Sequence, residues 1–409
     1  MAKKEISKGI TEELLQIQPQ EKLAEVKPKK SLVIGIPKEI ARGERRVPLR
    51  PEAVHLLVND GFEILVETGA GNSCKHQDKE YSDAGARIVY SPKEVFECPI
   101  ILKIAPPSFE EIEMMKHGTT LISTMQINSM TADYLHAINR KNITAIGFGL
   151  IEDKVGGLPL VRAMSEIAGS TVMLIAAELL SSVHDGKGVI LGGVTGVPPT
   201  SVVIIGAGTV AEFAARTALG LGAELKVFDN HLYRLRRIKE HLGQQIYTST
   251  IDNITLREAL QRADVVIGAM RPENGRTPIV VTEEMVASMK PNSVIIDVSI
   301  DHGGCFETSE ATTHINPVYR KYEVIHYCVP NIPSRVARTA TTAISNILTP
   351  ILRDVAELGG IEEMIYNKSW FAKGVYAYRG KITNEGLAKQ FGLPYKSLEL
   401  LIAARFAQK

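Results

Sequence analysis

"SVVIIGAGTVAEFAARTALGLGAELKVFDN", residues Ser201–Asn230, decides the fold. The apolar run Val202–Ile205 has the length of a buried strand, and the spacing Gly206, Gly208, Ala211 follows it at once, ahead of an amphipathic stretch. Strand, tight turn and helix are therefore predicted in that order. Gly206 permits the turn, Gly208 lets backbone N–H groups approach a pyrophosphate at the helix N-terminus, and Ala211 keeps helix close to strand. The next strand, "ELKVFD", ends in Asp229 at the offset where an acid accepts hydrogen bonds from an adenosine ribose. A carboxylate there repels a 2′-phosphate, so the pattern favours NAD over NADP. From the residues alone, a ligand-free glycine turn, a flavin or an adenosine-only ligand stays open.

The turn begins almost halfway along the chain, so the residues before it need their own account. A chain of 409 residues, 44% hydrophobic and 23% charged, is globular and long enough for two domains. Its 47 basic and 46 acidic residues leave a formal charge of +1, no global field for nucleic acid or an anionic membrane. Cys74, Cys98, Cys305 and Cys328 lie far apart in no CxxC spacing, which fits a reducing, cytoplasmic setting. No His/Cys cluster has metal spacing, so no metal is expected. Residues 1–30 mix Lys with Glu and lack the apolar core of a signal peptide; they are predicted to be a flexible N-terminal extension. No uninterrupted apolar run reaches roughly eighteen residues, so no membrane span is expected.

From Ser31, strand-like and helix-like segments alternate: "SLVIGI", "RPEAVHLLVNDG", "FEILVETGAG", "IILKIAPP", "SFEEIEMMKHG", "TTLISTM", "TADYLHAINRK", "ITAIGFGLI". Such alternation predicts a doubly wound parallel sheet covered on both faces. "LPLVRAMSEIAGSTVMLIAAELLSSVHDG" is predicted to be one long connecting helix ending near Gly186, and "ARTATTAISNILTPILRDVAELGG" a second that returns the chain. The expected fold class is α/β, two Rossmann-like domains with parallel sheets linked by long helices. Residues 31–165 with 335–409 would form a substrate domain and 166–334 an NAD-binding domain.

The blocks "IGIPKEIARGERRVPLRPEAV", "ETGAGNSC", "MSEIAGS", "GGVTGVPP", "IGAGTVAEFAAR", "IDVSIDHGGCFETS" and "HYCVPNIPSRVARTATTAISN" together resemble alanine dehydrogenase, in the superfamily that includes the NAD-binding subunit of proton-translocating transhydrogenase. The resemblance runs from about Leu32 to the C-terminus. It implies reversible oxidative deamination of a small L-amino acid, by default L-alanine to pyruvate and ammonia, with hydride transfer to NAD and a homo-oligomer, a hexamer. Arg46, in "GERRVPL", matches the family's carboxylate-binding arginine, whose fork of donors suits a carboxylate. Asp301, in "SIDHGG", matches the catalytic aspartate of the family's cleft and could polarise water or help handle protons; an aspartate there could also cap the Gly303–Gly304 turn. Ser165 and Asn331 match cofactor-contacting positions.

Two positions depart from that resemblance. Ala105, in "LKIAPP", stands where the family has a lysine that helps bind the oxo acid, and Gln126, in "STMQINS", where it has an acid–base histidine. Glutamine cannot exchange a proton near neutral pH. Lys103, two residues before Ala105 and so on the same side of an ideal strand, and His302 are the candidates to compensate. The alternatives to an alanine dehydrogenase are therefore a family member that binds NAD but has lost catalysis, regulatory or transhydrogenase-like, and a dehydrogenase of changed substrate specificity.

Overall fold

A computed structural model describes residues 32–127, 130–272 and 275–406; the predicted N-terminal extension, residues 1–30, lies outside the described residues. The strands of the first half are β1 (Val33–Ile36), β2 (Glu63–Glu67), β3 (Arg87–Val89), β4 (Ile100–Leu102), β5 (Thr120–Ser123) and β6 (Thr144–Gly147). Those of the second are β7 (Ser201–Ile205), β8 (Glu224–Phe228), β9 (Tyr247–Ser249), β10 (Val265–Gly268), β11 (Val294–Asp297), β12 (Val318–Lys321) and β13 (Val324–Tyr327). A last pair, β14 (Val375–Tyr378) and β15 (Lys381–Ile382), follows near the C-terminus.

These strands build two sheets, β15-β14-β6-β5-β4-β1-β2-β3 and β12-β13-β11-β10-β7-β8-β9. Central strands such as "TAIG" (β6), "VVIG" (β10) and "VIID" (β11) are buried at every residue, as strands covered on both faces must be. The fold is α/β, as expected, but the sheets are mixed, not purely parallel. β12 runs antiparallel to β13, and β14 runs antiparallel to both β6 and β15. The hairpins β12–β13 and β14–β15 each need only a two-residue turn with both central residues at positive φ, Tyr322–Glu323 at 52° and 58°, and Arg379–Gly380 at 47° and 71°. Apart from Gly380, neither turn carries the usual Asn or Gly, which hid both hairpins in the sequence.

Three helices position the site: α1 (Pro159–Leu180), α2 (Thr209–Gly220) and α3 (Ala337–Leu358). α1 starts with Pro at its first turn, where a missing N–H costs nothing. It stops at Leu180, short of Gly186, because Ser181 turns extended and its side chain accepts the Val183 N–H to start a short 3-10 turn. Gly169 lets α1 lie against α2, since a Cβ there would come within 2.3 Å of the Val210 carbonyl. By length and composition α1 would also pass as a membrane span, contrary to the sequence-based expectation. Half of that apolar window is buried in the fold, where Val172, Met173, Ile175 and Ala176 join the core beneath the second sheet. α3 packs against α1 and against the helix Pro51–Asn59, and its Thr341 and Ser345 hydroxyls accept the N–H groups of Val47 and Arg50. The segment after β1 is thus fastened to a helix that follows the second sheet in sequence.

Candidate functional site

At the end of β7 the Gly206 N–H donates to the Phe228 carbonyl at 2.7 Å, tying the turn to β8. Gly206 has φ +106°, and a Cβ on it would lie 2.4 Å from the Ala269 carbonyl oxygen, so only glycine fits. Gly208 is different. A Cβ there would meet nothing within 4 Å, and nothing inside the protein requires a glycine. It is also the N-cap of α2, and no side chain there accepts the first-turn N–H groups. Ala211, one turn into α2, is fully buried against the sheet. Asp229, 5% exposed, accepts the Ala207 N–H on Oδ2 at 2.8 Å and the His231 N–H on Oδ1 at 2.7 Å. The Arg237 guanidinium donates to the Ala207 carbonyl at 3.2 Å. An uncapped helix N-terminus, a bare glycine and an acid at the next strand's end are the fittings a dinucleotide needs. NAD would be held by the 206–208 turn and Asp229.

A second cluster joins segments far apart in sequence. Arg46 is 6% exposed and forms a two-pronged pair with Glu44, Nε to Oε1 at 2.7 Å and Nη2 to Oε2 at 2.6 Å. Its remaining nitrogen, Nη1, lies 3.4 Å from the Met164 sulfur on α1. The Asn331 side-chain amide donates to Glu44 Oε2 at 3.0 Å, and the Asn331 backbone N–H donates to Asp301 Oδ1 at 3.1 Å. Asn331 does both because its backbone is left-handed, φ 57° and ψ 45°, a conformation asparagine tolerates better than most residues. Burial alone would raise the Glu44 carboxyl, but the hydrogen bonds and charge of Arg46 outweigh it and hold it below the usual range. Asp301 goes the other way. Solvent reaches its side chain, yet the crowding protein strips enough hydration to push the carboxyl up, only partly offset by the Asn331 N–H and the charges of His302 and Arg46. The turn-capping role foreseen for Asp301 belongs to Asp297, which accepts the N–H groups of Ser299 and Cys305 and the Ser309 hydroxyl.

The structure thus brings together Arg46, Asp301 and Asn331. Lys103 is not with them. It is fully buried, with Nζ 2.8 Å from Glu111 and 3.6 Å from Glu39. Glu39 also accepts the Ile104 N–H at 2.5 Å and lies 3.4 Å from the Ala105 nitrogen, so it sits against the strand end that carries Ala105. Burial pushes the Glu39 carboxyl up to about 7, against the pull of Lys103. Ala105 is buried, Gln126 exposed, and His302 exposed beside Asp301. Ser165 lies half-buried in the second turn of α1, next to Met164. Among the described residues no group of three His, Cys, Asp or Glu side chains could hold a metal ion.

Comparison with known proteins decides the kinship of this arrangement. Residues 35–168 match the N-terminal domain, and residues 172–385 the C-terminal domain, of the alanine dehydrogenase/PNT family. The chain belongs to the alanine dehydrogenase/PNT family. It is 39% identical over 370 residues to alanine dehydrogenase of Methanococcus maripaludis, covering 90% of this chain and 99% of that protein. It is 37% identical over 369 residues to alanine dehydrogenase of Bacillus subtilis, with 90% and 97% covered. A solved L-alanine dehydrogenase superposes with a TM-score of 0.83 at 34% identity, covering 88% of this chain and 99% of that one. This alanine dehydrogenase/PNT chain therefore matches its relatives over nearly their whole length.

Two acids of the site escaped sequence reasoning. Glu44 stands two residues before Arg46 in "GERR", and Glu39 closes "IPKE". The first carried a legible signal, since a glutamate so near a candidate anion-binding arginine can fold back on it. The second did not, because its partners Ile104 and Ala105 follow β4, more than sixty residues along the chain.

Proposed function

We propose that the protein is an NAD-dependent dehydrogenase of a small L-amino acid, with L-alanine, pyruvate and ammonia as the default reactants. The observation that carries this reading is the Arg46–Glu44–Asn331–Asp301 chain of contacts at the junction of the two sheets. NAD, when bound, supplies the hydride acceptor. Arg46 offers its Nη1 side to the substrate carboxylate, the Nε and Nη2 prongs being taken by Glu44. Asp301, its carboxyl pushed up by crowding, can hold or release a proton nearer neutrality than an ordinary aspartate, as a group handling water and an amine requires. Asn331, fixed between Asp301 and Glu44, keeps the two ends of the site in register.

A second reading, NAD binding without amino-acid turnover, is favoured by Ala105 and Gln126, neither of which can exchange a proton. One experiment separates the two. NADH and NADPH affinities are measured by fluorescence titration, beside a turnover screen of amino acids with NAD and of 2-oxo acids with ammonia and NADH. The dehydrogenase reading expects tighter binding of NADH than of NADPH together with turnover. Binding without turnover selects the second reading, and failure to bind either nucleotide refutes both.

A further inference from the structure

We propose that Glu44 is a positioning residue that passes the state of the Asn331 turn to the Arg46 guanidinium, so that nucleotide on the second-sheet side and a carboxylate at Arg46 strengthen each other's binding. The inference rests on the proposed dinucleotide site.

Glu44 is 9% exposed and its carboxylate accepts from five donors: the N–H groups of Arg45 and Arg46, Arg46 Nε and Nη2, and the Asn331 amide. Four of these would suffice to neutralise and orient the arginine from within its own loop. The fifth reaches across to the turn that follows β13. The same loop is stitched to that turn twice more, because the Arg45 N–H donates to the Ser334 hydroxyl at 2.9 Å and that hydroxyl donates to the Gly43 carbonyl at 2.6 Å. Asn331 is held from the opposite side by Asp301. A nucleotide that pins the Asn331 turn fixes its amide against Glu44 Oε2 and tightens the hold on that oxygen, which in turn holds Nη2. Arg46 cannot follow independently, since two parallel charge-assisted bonds fix the guanidinium plane to the Glu44 carboxylate plane. Buried as it is, Glu44 touches the substrate only through Arg46. Two ligands acting on one such element must be coupled reciprocally.

The test uses the full-length protein with NADH and pyruvate as probes. In the parent protein, saturating NADH should slow amide hydrogen exchange in the peptide covering residues 43–47, and NADH should tighten pyruvate binding by about fivefold or more in calorimetry. Glu44→Ala should lose both effects while binding NADH within about twofold of the parent, because the glycine turn is untouched. Where the alanine variant fails to fold, the near-isosteric Glu44→Gln decides, since it places an amide against one of its donors and should lose most of the protection. Retained protection in a folded Glu44 variant overturns the proposal, as does NADH binding to the parent that leaves residues 43–47 unprotected. If NADH does not bind the parent at all, the dinucleotide reading fails and takes this proposal with it; if NADH binds and the coupling is absent, only the relay fails.

Discussion

Replacing Glu39 by Gln should flatten the pH dependence of stability between pH 4.5 and 7. Glu39 is buried beside Lys103, Glu44 and Glu111, and burial pushes its carboxyl from 4.5 up to about 7. The folded state therefore holds a proton across that window which the unfolded chain releases. Its contribution to stability is complete below pH 4.5 and is lost as the pH rises through about 7. At 1.36 kcal/mol per unit, the loss approaches about 3 kcal/mol. A glutamine in place of Glu39 would keep an acceptor for the Ile104 N–H, now bonded at 2.5 Å, and would carry no proton to lose. Trp370, the chain's one tryptophan, packs against the core of the first sheet and gives an unfolding signal from that half of the molecule. The assay is denaturant unfolding at a series of pH values, parent beside Glu39→Gln, so that titrating groups remote from Glu39 cancel in the difference. The two curves should converge toward pH 4.5, where the parent's carboxyl is neutral like the amide, and separate toward pH 7 with Glu39→Gln the more stable. Curves that run parallel would refute the assignment of the proton to Glu39.

Two further outcomes follow from the site. Gly208→Val should abolish NADH binding while leaving the melting temperature nearly unchanged, because its Cβ meets no protein atom; fluorescence titration beside thermal unfolding checks both, and retained binding would put the nucleotide elsewhere. Ala105→Lys with Gln126→His should raise alanine or pyruvate turnover by ~10²- to 10⁴-fold, the range of acid–base catalysis, with each single change recovering less than the pair. No gain in steady-state turnover would mean the pocket has diverged beyond these two side chains.

The alternation of strands and helices was legible because both sheets bury their central strands on two faces, giving continuous apolar runs such as "VVII" and "SVIID". The edges were not. β12 shows exposed and half-buried residues in turn, and its hairpin depends on Tyr322 and Glu323, whose left-handed backbone no propensity suggests. The glycine turn could be assigned residue by residue because its chemistry is local. The second cluster spans Glu44 to Asn331, and only tertiary packing makes these neighbours. Lys103 shows the opposite failure. Strand periodicity placed it on the same side as Ala105, but a capping-box glutamate on the next helix, Glu111, captures its ammonium at 2.8 Å.

β6 ends at Gly147, and the strand that covers its outer edge, β14, begins only at Val375. During synthesis the whole second sheet must emerge from the ribosome before that edge is closed. Until then a strand buried at every residue in the finished protein presents free backbone donors and acceptors to solvent or to another nascent chain. The first sheet of this protein is thus the last to be completed, although most of its strands are the first to be made.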